Sequence, residues 1–309
     1  MNQLNIKQLD YMTVVGANPS NNYSPTEHHN GDAFINWGNG QGIRFFGVID
    51  GAKAPYDYTI NGQPNDAFAA QLFAELIKTN FSLMTHINQW ENALTACILN
   101  FQNTFDIIRD NHPIHNREDF RLFNGSCAFT LAIIDEKTAD CIVLSATDCY
   151  MCIRKNGKVV NLSNYSETDL KASGRLIEGR MLSDLIDDGM TLDEAHAHEF
   201  KRVRGNRCRI YNKCATRNHM GMPVMNGDIN LLDCIQVDTF NVKHEKIDAF
   251  IAMSDGYAAK HGDIITCAEG ALKQGCDYFH FHNIRPLWQH PTRGNVIMSD
   301  VTCAVLTYQ

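Results

Sequence analysis

The chain has 309 residues, of which 44% are hydrophobic and 20% charged, and its formal net charge is −8. This acidic balance argues against a general nucleic-acid-binding protein, which needs basic residues to neutralise phosphates, and no run approaches the roughly 18 uninterrupted apolar residues of a membrane span. The start of the chain lacks the basic-then-apolar layout of a secretory signal, so we expect the eleven cysteines to be reduced thiols in the cytoplasm rather than a disulfide framework.

The first half of the sequence is typical of antiparallel β-structure. Short runs of β-branched and aromatic residues alternate with turn residues, including Gly38-Asn39-Gly40 and Asn156-Gly157. The predicted strands are 11–15, 34–37, 44–49, 127–134, 141–147, 150–154 and 159–162.

Two helices are predicted between the third and fourth strands. Asp66 is placed to cap the first helix, in which apolar residues recur at four-residue spacing up to Ile77. The second helix carries one apolar stripe from Trp90 to Ile108. The short link over 79–89 favours an antiparallel pair that covers one face of a sheet.

The character of the sequence changes between about 164 and 231, where the long β-runs stop and charged residues crowd together. We interpret this stretch as an inserted flap, because it has no apolar core of its own. A capping-box pattern predicts a helix over 191–203 within it. The β-pattern then resumes at 249–253, with a helix at about 264–274 and a closing strand at 302–308. Since no linker rich in Gly, Ser or Pro divides the chain, residues 1–309 are predicted to form a single domain.

Three of these strands carry an aspartate at one end. Asp50 and Asp255 each follow an apolar run and precede a glycine, whereas Asp300 opens the closing strand. If these strand ends meet in space, hard oxygen ligands converge on one point, and Mg²⁺ or Mn²⁺ is the matching cation. Such a centre is typical of metal-dependent phosphate transfer or hydrolysis.

Six segments, in their order along the chain, resemble the motifs of the metal-dependent protein serine/threonine phosphatases of type 2C (the PPM family), and of bacterial members in particular. They are Asn30-Gly31-Asp32-Ala33, 45–51, Gly125-Ser126, Ala146-Thr147-Asp148 with Asn156-Gly157-Lys158, Ser254-Asp255-Gly256 and Ser299-Asp300-Val301-Thr302. Each segment is a weak signal alone, but the order and spacing of all six are specific. The resemblance implies an α+β fold, a four-layer αββα sandwich of two antiparallel β-sheets flanked by antiparallel helix pairs, with the flap at 164–231.

The resemblance also implies an activity. It is the Mg²⁺- or Mn²⁺-dependent hydrolysis of phosphoserine and phosphothreonine in proteins, by a water that bridges two metal ions. Asp50 would bridge the ions, Asp255 would act with it as a catalytic residue, and Asp148 matches the ligand of a third, more weakly held ion. The partner would be a phosphorylated protein, not a nucleic acid or a membrane. The implied metal ligands are Asp32, Asp50, Gly51 (through its carbonyl), Asp255, Asp300 and Asp148.

The sequence departs from the family pattern at three places. Ser299 stands where the terminal motif has its first carboxylate, and a one-residue offset at a strand start turns a side chain to the opposite face. The arginine that binds substrate phosphate is absent, and His28 or His29 is a candidate substitute. After the Asp50-Gly51 pair, where the family often has further glycines, this chain has Ala52-Lys53-Ala54-Pro55, and Lys53 is a further candidate phosphate contact.

Two other functions stay open at this point. Ser299 and the missing arginine are also compatible with a catalytically impaired, phosphatase-like module that binds or regulates a partner. An N-terminal-nucleophile amidohydrolase shares the layered sandwich, and Gly125-Ser126-Cys127 is its candidate processing site.

Overall fold

The computed structural model describes residues 4–14, 30–52, 54, 58–112, 120–163, 211–212, 222–258, 263–288 and 300–309. The strands in these ranges are β1 (Ile6–Val14), β2 (Asp32–Gly38), β3 (Ile43–Ala52), β4 (Thr59–Ile60), β5 (Gln63–Pro64), β6 (Ser126–Asp135), β7 (Asp140–Ala146), β8 (Tyr150–Lys155), β9 (Lys158–Asn161), β10 (Gln236–Asn241), β11 (Ile247–Met253) and β12 (Val301–Tyr308). The α-helices are α1 (Asn65–Phe81), α2 (Trp90–Asn111), α3 (Phe120–Phe123), α4 (Leu231–Cys234), α5 (Asp255–Ala258), α6 (Ile264–Gln274) and α7 (Cys276–Phe279).

Ten of the strands form two five-stranded sheets. The first sheet has the order β1-β12-β11-β8-β9 and the second has the order β10-β7-β6-β3-β2. All neighbouring strands in both sheets are antiparallel. The two chain ends therefore meet in the first sheet, because β1 pairs with β12.

Alternate residues of each strand belong to different layers, as the two-residue period of a strand requires. In β3, Phe46 is buried between the two sheets, whereas Phe45 is buried against α1 and α2. In β11, Phe250 lies between the sheets and Ile251 is buried under α5–α7. The layers are thus helix, sheet, sheet and helix, and the predicted sandwich of two antiparallel sheets flanked by helices is confirmed.

The helical layer over the first sheet is built from short pieces. The eleven-residue α6 is followed by α7, a π-helical turn (His280–Ile284) and a 3₁₀ turn (Arg285–Trp288). A further difference from the sequence prediction is β10, whose polar, half-exposed residues lack a strong β-pattern because it is an edge strand paired only with β7 in its sheet.

The start of α1 corrects the prediction that Asp66 caps this helix. Pro64 occupies the N-cap position without a side-chain cap bond, and Asp66 lies in the first turn. The side chain of Asn65 bonds the preceding loop instead, accepting from the Ala54 N–H at 2.9 Å and donating to the Tyr58 carbonyl at 3.3 Å. The loop after β3 is therefore held against the helix start.

Only residues 211–212 and 222–231 of the predicted flap are described, and the helix expected at 191–203 lies outside the described residues. The described end of the flap is attached to the second sheet, since Met225 and Cys127 exchange backbone hydrogen bonds of 2.8 and 2.9 Å. The single-domain assignment of 1–309 stays a prediction. None of the helices within the described ranges is both long and apolar enough to span a membrane.

Candidate active site

β2 and β3 bring two of the predicted ligands together. Asp32 opens β2 and lies directly opposite Asp50 in the β2–β3 register. Val48 and Phe46, two and four residues before Asp50, are buried between the sheets. The strand period therefore directs both carboxylates to the same inward face, where opposite Cβ atoms are about 4.5–5.5 Å apart.

The first sheet contributes a third carboxylate. β11 ends at Met253, and Asp255 begins the short helix α5. The Asp255 side chain is hydrogen-bonded to that of Asp50. The carboxyl group of Asp255, from the first sheet, therefore lies beside that of Asp50, from the second.

Asp300 reaches the same place from the start of β12. Its Oδ2 accepts a hydrogen bond from the Gly31 backbone N–H, with an N–O distance of 2.6 Å. Ala304 and Leu306 are four and six residues after Asp300, so all three side chains lie on the same face of the strand. Ala304 and Leu306 are buried between the sheets. The one-residue offset of the terminal segment therefore does not turn the Asp300 carboxylate outward.

Gly51 permits a close backbone approach beside these aspartates. Its N–H donates to the Gly31 carbonyl at 2.8 Å. A Cβ at this position would lie 2.4 Å from the Asp66 carbonyl oxygen and 2.6 Å from that of Gly31. No side chain fits there, so glycine is required for β2, β3 and α1 to meet.

The environment of Asp32 disfavours a negative charge. The residue is 6% exposed, and both carboxylate oxygens are buried without a hydrogen-bond partner. Burial raises the pKa of Asp32 to about 8, with Asp300 and Asp255 acting in the same direction and the hydroxyl groups of Ser254 and Thr302 opposing it. A bound cation would remove this penalty, because a buried charge is tolerated when it is paired.

The pKa of Asp50 is also raised well above its ordinary value. Burial is the largest cause, followed by the negative charges of Asp32, Asp255 and Asp148. Asp148, in the turn between β7 and β8, is therefore within electrostatic range of the centre. Groups of like-charged carboxyls with raised pKa values are characteristic of functional sites.

Two further polar side chains beside the carboxylates were not predicted as site residues. The Oδ2 of Asp66 lies 3.9 Å from the position of a Cβ on Gly31. The hydroxyl of Tyr150 is buried without a hydrogen-bond partner, and after burial the charges of Asp148 and Asp255 raise its pKa. The local signal for Tyr150 was its position at a strand start, two residues after Asp148, and the signal for Asp66 was its position at a helix start.

The remaining residues singled out in the sequence lie outside the described part of the chain: His28, His29, Lys53 and Ser299. The contacts expected of His28, His29 or Lys53 with substrate phosphate stay predictions.

The donor atoms of the centre fit a hard divalent cation. As the side chains stand, no three or more His, Cys, Asp or Glu residues in the described part of the chain are arranged to hold a metal ion. However, Asp32, Asp50, Asp255 and Asp300 offer oxygen ligands only, which is the preference of Mg²⁺ and Mn²⁺. The unpartnered oxygens of Asp32 further favour a cation, since like charges this close repel one another without one.

No family model and no curated protein matches the sequence. Solved structures do match, over nearly the whole chain. A bacterial serine phosphatase has a TM-score of 0.56 and 13% identity, covering 98% of each chain. The catalytic domain of the serine/threonine protein phosphatase PstP, in complex with two manganese ions, has a TM-score of 0.54 and 12% identity, covering 98% of each chain. The phosphatase Stp1 from Staphylococcus aureus has a TM-score of 0.52 and 12% identity, covering 100% of this chain and 98% of the other.

The match to these structures covers the two antiparallel sheets and the helical layers of this chain, which position the carboxylates described above. The resemblance recognised from the sequence motifs and the likeness of the three-dimensional structure agree. The chain has the fold of the PPM serine/threonine phosphatases.

Proposed function

We propose that this protein is a Mg²⁺- or Mn²⁺-dependent phosphatase that hydrolyses phosphoserine and phosphothreonine in proteins. The observation that carries the proposal is the meeting of Asp50 and Asp255, which come from different sheets and share a hydrogen bond. Asp32 lies opposite Asp50, and Asp300 raises the pKa of Asp32. Proteins with the same fold include serine/threonine phosphatases, one of them solved with two manganese ions.

The position of each carboxylate indicates which cation it would bind. Asp50 is influenced by Asp32, Asp255 and Asp148 alike, so it is the candidate that contacts more than one cation. Asp32 and the Gly51 carbonyl would hold one ion, and Asp255 and Asp300 would hold the other. Asp148 lies at the margin, as expected for a weaker third site. Bound divalent cations would neutralise phosphate charge and make a water acidic enough to act as the nucleophile near neutral pH.

The raised pKa values favour protonated carboxyl groups at this centre. The pKa of Asp50 is well above its ordinary value, and that of Asp32 is about 8. A cation that binds at neutral pH would therefore displace protons from these carboxyl groups. The carboxylates would then be ionised only while a bound cation compensates their negative charge.

Phosphate release from a phosphoserine or phosphothreonine peptide tests the proposal. We expect release by the wild-type protein only with Mn²⁺ or Mg²⁺, and loss of release in Asp50→Asn, which removes a ligand charge with little change in shape. Asp140→Asn is the matched control, because it makes the same change at an exposed aspartate. Asp140 lies at the start of β7, at the opposite end of that strand from Asp148 and the acidic centre. Metal-independent release, or full activity in Asp50→Asn, would refute the proposal.

A catalytically impaired, phosphatase-like module is the second candidate. The observation that favours it is the lack, within the described ranges, of three or more side chains already arranged around one metal position. Calorimetric titration with Mn²⁺ together with turnover of p-nitrophenyl phosphate separates the two functions. Binding with turnover supports the phosphatase, and a folded protein that neither binds Mn²⁺ nor turns over supports the module.

A further inference from the structure

Asp66 packs against both glycines of the acidic centre. Its Oδ2 lies 3.9 Å from the point where a Cβ on Gly31 would stand, and Asp300 Oδ2 lies 2.6 Å from that same point. Its backbone carbonyl oxygen lies 2.4 Å from the equivalent point on Gly51. Gly31 immediately precedes Asp32 and Gly51 immediately follows Asp50, so α1 begins against the two strand ends that carry these aspartates.

The charge of Asp66 acts on the same surroundings as that of Asp50. Cys127 in β6 lies opposite Gly51 in the sheet register. Besides burial, the negative charges of Asp50 and Asp66 both raise the pKa of the Cys127 thiol. Asp50 in β3 and Asp66 in α1 are therefore both within electrostatic range of this one buried thiol.

A helix-terminal role alone does not account for this placement. An acidic residue in a first helical turn is stabilised by about 0.3–1 kcal/mol through the helix dipole, and Asp66 has that position. The dipole does not require the Asp66 carboxylate to lie near Asp300, since the like charges of the two carboxylates repel each other. Asp32 lies at the same centre, and its buried oxygens have no hydrogen-bond partner.

We propose that Asp66 is an additional acidic residue of the metal centre. Its carboxylate binds the divalent cation that Asp300 would hold, directly or through a water. The inference rests on the proposed function and adds a ligand position from α1, an element that contributes no other acidic residue to the centre in the described structure. A carboxylate already beside Asp300 then becomes a stabilising partner once a doubly charged cation is bound.

Calorimetric titration of Mn²⁺ into the metal-free protein tests this inference without an activity measurement. We expect Asp66→Asn to bind Mn²⁺ at least about tenfold more weakly at one site, since a ligand charge is lost. Glu75→Gln is the control, because Glu75 is an exposed carboxylate on the same helix and its loss changes the net charge equally. Its affinity is expected to stay within about twofold of wild type, as for other exposed charges.

Two further variants keep the inference falsifiable if Asp66→Asn folds poorly. Asp66→Ser removes the charge with a different side chain and is expected to show the same weakening, while Asp66→Glu retains the charge and is expected to retain most of the affinity. Wild-type affinity in a folded neutral variant overturns the role of Asp66 but leaves the proposed function intact. Absence of Mn²⁺ binding by the wild-type protein overturns both.

Discussion

The carboxylate of Asp300 is hydrogen-bonded to the backbone N–H of Gly31, 269 residues earlier, with an N–O distance of 2.6 Å. This bond joins the start of β12 in the first sheet to the start of β2 in the second. A hydrogen bond to a charged acceptor is stronger than a neutral one, so it fixes the two sheets at the end where the aspartates lie. The next residue, Asp32, is held in turn by the Asn30 side chain, whose Oδ1 accepts from the Asp32 N–H at 2.9 Å.

Gly51→Ala should separate the elements that meet at the centre. The added Cβ would lie 2.4 and 2.6 Å from two backbone carbonyl oxygens, which cannot move as a flexible side chain can. We expect the free energy of unfolding to fall by about 1–3 kcal/mol and Mn²⁺ affinity to fall with it. Urea unfolding and calorimetry measure the two effects.

Gly38→Ala is the control for that substitution. Gly38 ends β2 at the far side of the same strand pair, and a Cβ there meets its nearest atom at 3.7 Å, an ordinary contact. A loss of stability in Gly38→Ala equal to that in Gly51→Ala would contradict the prediction.

The stability of the metal-free protein should depend on pH through Asp32. Its pKa is 3.8 ordinarily and about 8 in the folded chain, so between these values the folded state binds a proton that the unfolded state has released. The free energy of unfolding therefore falls as pH rises through this window. Asp32→Asn, which resembles the protonated form, should flatten the dependence and raise stability at pH 8 by more than about 1.4 kcal/mol, the equivalent of one pKa unit.

Urea unfolding in the presence of a chelator, at several pH values, measures this difference. Asp50 remains in the variant and acts in the same direction, so we expect the slope to decrease rather than vanish. Identical pH dependence in wild type and Asp32→Asn would refute the assignment of the raised pKa to Asp32.

Tyr150→Phe should not destabilise the metal-free protein. The Tyr150 hydroxyl is buried without a hydrogen-bond partner, and removing an unsatisfied buried polar group is neutral or stabilising by about 1 kcal/mol. Tyr58→Phe is the matched comparison, because the Tyr58 hydroxyl donates to the Phe123 carbonyl at 2.6 Å. Thermal or urea unfolding should show a loss of stability in Tyr58→Phe and none in Tyr150→Phe, and a clear loss of stability in Tyr150→Phe would show that its hydroxyl has a partner.

Divalent cations should stabilise the folded chain. At a Mn²⁺ concentration about 100 times the dissociation constant, the added stability is about 2.7 kcal/mol if one ion binds only the folded state. Asp300→Asn keeps an oxygen that can accept from the Gly31 N–H but loses the charge, so its stabilisation by Mn²⁺ should be smaller. Thermal unfolding with and without Mn²⁺ measures this, and an equal shift in wild type and Asp300→Asn would exclude Asp300 as a ligand.

The strands and the first two helices could be predicted because their signals are local. The alternation of Phe45 and Phe46 in β3, and the apolar stripe of α2, each depend on side chains a few residues apart. By contrast, β10 has a weak pattern, and its place at the edge of the second sheet comes only from its pairing with β7. The prediction that Asp66 caps α1 was wrong, because the sequence indicates where a helix starts but not which residues pack around that start.

The acidic motifs, their order along the chain and their positions at strand ends could be read from the amino-acid sequence. The packing of the sheets and α1 places Asp50 in hydrogen-bond contact with Asp255, turns Asp300 inward and brings Asp66 beside them. The two kinds of feature differ because strand and helix periods depend on neighbouring residues. The meeting of distant carboxylates depends on how two sheets and a helix pack, and every residue of their shared core contributes to that packing.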